Sequence, residues 1–62
     1  MATTRHELWA AILDAPSPEG AIESLRLYGW EGTHGWLERE LDGRRWRIHE
    51  RHVAALWAHL HR

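Results

Sequence analysis

The stretch Leu41-Asp42-Gly43-Arg44-Arg45-Trp46-Arg47-Ile48 constrains this chain more than any other. Asp-Gly between two alternating runs is the strongest short-range signal for a β-hairpin, because both central residues of the favoured two-residue turn need positive φ. Folding Leu41 back onto Arg44 pairs Glu40 with Arg45, Arg39 with Trp46, Glu38 with Arg47, Leu37 with Ile48 and Trp36 with His49. One face then carries Leu37, Leu41, Trp46 and Ile48. The other sets Glu38 and Glu40 opposite Arg47 and Arg45. The apolar alternation and the charge pairing select the same register, which is the agreement between levels expected of a foldable sequence.

The rest of the chain reads as helices around that hairpin. Thr4 with Glu7 three residues on matches a capping box. Leu8, Ala11 and Ile12 follow at helical spacing, with Trp9 and Leu13 widening the stripe. Pro16 disfavours helix at Ala15, so the first helix runs over about 5–14. Ser17-Pro18-Glu19 restarts it with an N-cap, a proline at the first helical position and an acid at the positive end of the dipole. Ala21, Ile22, Leu25 and Tyr28 form the stripe of this second helix, with Leu27 and Trp30 near its end, and Gly29 supplies a left-handed cap. The second helix spans about 18–28. Residues 30–34 read as a loop, strands follow at 36–41 and 44–49, and a last helix covers 50–61. In that helix Val53, Leu56, Trp57 and Leu60 share a face. The expected class is α+β, one domain over 1–62, in the order α-α-β-β-α.

Sixty-two residues allow a marginal core, and without cysteine no disulfide supports it. Five Trp supply much of the apolar area. A monomer this small is hard pressed to cover all five, so a homodimer is a candidate assembly. No apolar stretch is long enough to span a membrane and no leader is visible, which places the chain in the cytoplasm. The net charge is −1, but residues 1–32 hold two Arg against five carboxylates and residues 33–62 six Arg against four. The whole is not strongly basic, whereas the region of Arg44, Arg45, Arg47 and Arg51 is.

Two helices joined by Ala15-Pro16-Ser17, then a hairpin, then a helix, follow a winged-helix plan. "DGRRWRI" leading into an amphipathic helix resembles the wing and closing helix of excisionase-type and MerR-type DNA-binding domains. "HELWAAILDAPSPEGAIESLRLYGW" is similar in plan to their helix-turn-recognition helix. The resemblance implies a small, non-enzymatic DNA-binding protein that docks its second helix in the major groove of double-stranded DNA. Arg44, Arg45 and Arg47 would then meet phosphate or reach the minor groove beside it, Ser17, Ser24 and Arg26 would face the major groove, and Trp46 and Ile48 would be core. The chain departs from the family at Ala15-Pro16, where the turn usually has a Gly. It also departs at Glu19 and Glu23, whose carboxylates would confront phosphate if exposed.

The second reading belongs to a different class: an accessory or inhibitor protein of a mobile element that acts on a host protein. Trp36, Trp9 and the acidic face of the second helix would form its contact surface. Exposure of Glu19 and Glu23 separates the two readings. If Glu38 and Glu40 neutralise Arg47 and Arg45, only Arg44 and Arg51 remain for a ligand. The six His include pairs at 49/52 and 59/61, but no four converge by spacing and no Cys assists, so they read as surface residues with a frayed C-terminal end and no metal. Thr4 and Ser17 serve as caps, and His34 has no acid or nucleophile to orient it. No catalytic set and no cofactor follow. Trp46 and Trp57 are expected in the core, Trp30 as a cap on it.

Overall fold

A computed structural model describes residues 4–62, with the side chain of Thr4 outside that description. Helices α1 (Thr4–Asp14) and α2 (Pro18–Leu27) precede strands β1 (Trp36–Leu41) and β2 (Arg44–His49), and helix α3 (Glu50–Leu60) follows. The α+β class and the order α-α-β-β-α are as the sequence indicates. The register is too: Trp36 faces His49, Leu37 faces Ile48, and Leu41 faces Arg44. Asp42 and Gly43 take φ of 52° and 77°, both left-handed, as the two-residue turn demands.

Sequence-local chemistry explains the helix ends. Ser17 sits in extended conformation and its hydroxyl accepts the Gly20 N–H at 3.0 Å, with Pro18 as the first helical residue. At the other end of α2, Gly29 (φ 98°) donates to the Arg26 carbonyl and Trp30 donates to the Leu25 carbonyl, each near 3.0 Å. That pair of bonds is a Schellman motif, which brings the residue after the glycine back onto the helix. Trp30 is therefore no peripheral cap. It is 1 % exposed and packs with Ile12, Leu25, Leu37 and Val53 as one of the largest buried side chains. Its indole N–H has no acceptor among the described residues, which offsets part of the gain by ~1–3 kcal/mol. The expected capping box at Thr4 lies outside the described residues, and the Glu7 carboxylate accepts from Arg39 on β1.

The segment before β1 is more ordered than a loop. Glu31 and Glu38 exchange N–H···O bonds of 2.8 and 2.6 Å, an isolated antiparallel bridge on the free side of β1. Between them, Trp36 N–H donates to the Thr33 carbonyl, while His34 (φ 56°) and Gly35 (φ 82°) repeat the left-handed pair of the other turn. Gly32 is forced by proximity, because a Cβ there would strike the Trp36 carbonyl. Gly35 is forced twice, by its φ and by the His49 ring, whose Nε2 would lie 2.8 Å from a Cβ.

No residue separates β2 from α3. His49 ends the strand and caps the helix, its Nδ1 accepting the Arg51 N–H at 3.1 Å. Glu50 N–H donates to the Gly35 carbonyl at 2.7 Å. At the far end of α3, Trp57 Nε1 donates to the Ala15 carbonyl at 2.9 Å. His61 stacks on Trp57 and sets its ring nitrogens 3.0 Å from the Trp57 carbonyl and 3.2 Å from that of Leu13. The end of α3 is not frayed at His61. It closes the carbonyl end of α1, where helices leave acceptors without partners.

Candidate interaction surfaces

Three surfaces stand out, two of them anticipated from the sequence. The first is the solvent face of the hairpin. Strand alternation places Trp36, Glu38, Arg45, Arg47 and His49 on it. The Glu38 carboxylate receives both guanidinium groups, Arg47 Nε at 2.9 Å and Arg45 Nη2 at 3.5 Å. The Glu40–Arg45 pair expected from direct opposition does not form. Arg45 reaches diagonally to Glu38, and Glu40 stays exposed without an ion pair. Arg47 also lies 4.3 Å above the Trp36 ring, which meets the His49 ring edge-on at 4.9 Å.

The second surface is the outer side of α2. Glu19 and Glu23 are both exposed, one turn apart and opposite the buried Ala21 and Leu25. Arg26, the one cation of this helix, donates to Glu50 Oε1 at 2.8 Å. Ser17 is committed to the cap, and Ser24 is half-buried. Tyr28 and Leu27, read as part of the apolar stripe, are exposed, Leu27 by 84 %. The Schellman turn directs Trp30 inward in their place.

The third surface was not singled out. An open groove of ≈ 360 Å³ is lined by Ile48, His52, Ala55 and Leu56. Leu56 also lines a second depression of ≈ 150 Å³, with Arg5, Leu8, Trp9 and Ile12. Because Leu56 lines both, the two depressions adjoin as a trough along α3, bounded by β2 on one side and α1 on the other. Of its lining residues Trp9 (41 % exposed) and Leu56 are the large exposed hydrophobics, and Leu13 and Leu60 are exposed on the same two helices. Beyond Ile48 on the same strand face come Trp46 and Arg44. Trp46, expected in the core, is 37 % exposed under the Arg44 guanidinium at 4.9 Å. The helices cover only the base of the hairpin, so Leu37 is buried while the tip is open. A signal for the trough was present. The α1 stripe from Leu8 through Ile12 and Trp9 to Leu13 spans roughly 140° of the helix, wider than one packing contact covers.

Trp9 and Trp36 thus belong to different surfaces. Among the described residues Arg44 and Arg51 have no ion-pair partner, while Glu38 holds both Arg45 and Arg47. Among the described residues no three His, Asp or Glu gather as a metal-binding group, and no helix is long and apolar enough to cross a membrane. Comparison with protein-family models, curated proteins and solved structures finds no match.

Proposed function

We propose that this chain is a small, non-enzymatic protein-binding domain that engages its partner through the trough between α1, α3 and β2. The observation that carries this reading is the division of surface chemistry. The polar residues nominated for DNA are largely engaged within the chain: Arg45 and Arg47 on Glu38, Arg26 on Glu50, Ser17 on Gly20. The outer side of the would-be recognition helix is acidic at Glu19 and Glu23, which repels phosphate. The exposed Trp9 and Leu56, with Leu8, Ile12 and Ile48, instead line adjoining apolar depressions, the usual mark of a protein contact.

DNA binding in the manner of excisionase-type and MerR-type domains is the second reading. The helix-turn-helix and hairpin order favours it, as do the unpaired Arg44 and Arg51. One experiment separates the two: fluorescence anisotropy on mixed-sequence duplexes between ~50 and ~200 mM salt, where phosphate contacts must weaken as salt rises. The protein-binding reading expects no salt-dependent association. Binding that weakens with salt, and weakens further in Arg44→Ala/Arg45→Ala, would reverse the order of the two readings.

A further inference from the structure

The trough has a chemical polarity that narrows its partner. Its floor is aliphatic and aromatic: Leu8, Ile12, Ile48 and Leu56, with Trp9 at one side. Among the described residues the charged groups on or beside it are guanidinium groups, with the imidazole of His52 between them. Arg5 lines one end and makes no ion pair among the described residues, His52 lines the other, and Arg44 lies beyond it over Trp46. No carboxylate lines either depression. Glu7, on the same helix as Arg5, is held by Arg39.

From this arrangement, and resting on the protein-binding reading above, we infer that the trough receives an amphipathic helix of a partner protein whose flanks are acidic. A concave groove between two helices accepts a third helix through apolar anchors spaced i, i+3/i+4, i+7. Carboxylates beside those anchors would meet Arg5 at one end and Arg44 at the other. A second copy of this chain fits less well. Two troughs brought face to face would set Arg5 and Arg44 of each copy against those of the other, with no described lining carboxylate between them.

The test uses two fluorescein-labelled helical peptides of about four turns, ~15 residues at 1.5 Å rise each. Both carry the same Leu stripe. One has Glu on its flanks, the other Lys. Binding is read by anisotropy and mapped by the indole N–H signals of the five Trp in ¹H–¹⁵N spectra. The acidic peptide is expected to bind at least tenfold more tightly than the basic one. It should shift Trp9 and Trp46 and leave Trp36 in place. Leu56→Glu should weaken it tenfold or more with the helical circular dichroism unchanged.

Equal affinity of both peptides at Trp9 would overturn the acidic assignment while leaving the protein-binding reading intact. A dimer in sedimentation equilibrium that Leu56→Glu dissociates would make the occupant a second copy. Shifts on adding anionic vesicles, without any response to peptide, would make it a lipid surface. If neither peptide binds while duplex DNA shifts the Arg44–Arg47 amides, the protein-binding reading itself fails.

Discussion

The two turns that bound β1 have the same backbone and opposite surroundings. Asp42-Gly43 and His34-Gly35 both place two consecutive residues at left-handed φ. The outer turn stands free, with no atom within 4 Å of a Cβ built on Gly43. The inner turn is fastened: Gly35 lies against the His49 ring and its carbonyl accepts the first N–H of α3. The outer turn sets the register of the hairpin, and the inner one attaches the hairpin to the helices. Geometry that is locally equivalent carries different energy according to what lies beside it.

The largest break in this contrast should come from Trp30, which begins the arm of the inner turn. Trp30→Ala is expected to cost ~3–5 kcal/mol, enough to unfold a domain of this size, whereas the exposed Trp46→Ala should cost well under half of that. Urea denaturation of the pair checks it. Next are the turns themselves. Gly35→Ala should lose about 3 kcal/mol and Gly43→Ala about 1, because left-handed strain acts at both and a steric clash only at the first. Equal losses would show that the fastening of the inner turn contributes nothing. His49→Ala, which removes the cap on α3, should cost about 1 kcal/mol in the same assay. The smallest change in stability belongs to Glu38→Gln, below ~1 kcal/mol for exposed pairs. It removes the carboxylate that holds Arg47 and Arg45, so any affinity for duplex DNA in anisotropy should rise. Unchanged affinity would remove those two residues from the DNA reading.

The same contrast explains what the sequence made legible. The outer turn announces itself through Asp-Gly and alternation on both sides, all within a dozen residues. The inner turn has one bridged pair, Glu31 with Glu38, and its attachment is completed by His49 and Glu50 from much later in the chain. No local pattern encodes that meeting. Trp30 was more accessible to reasoning than it looked, since a capping Gly29 predicts that the next residue folds back onto Leu25. The trough was the hardest to see. Trp9, Leu56 and Leu60 sit at core-like spacings, and only the placement of the third helix decides which half of a wide apolar stripe is covered. The charge logic of Glu38 with Arg47 was readable from opposition alone. The diagonal reach of Arg45 depended on side-chain length.

The junction between β2 and α3 has a mechanical meaning. His49 belongs to both elements and no residue between them is free to act as a hinge. The hairpin and α3 should therefore tumble as one lever, with its pivot at the Gly35–Glu50 bond and its open end at Gly43. A partner gripping Leu56 would hold the short arm of that lever. Its grip would fix the direction in which the arginine-bearing tip points, since a rigid element transmits a rotation whole.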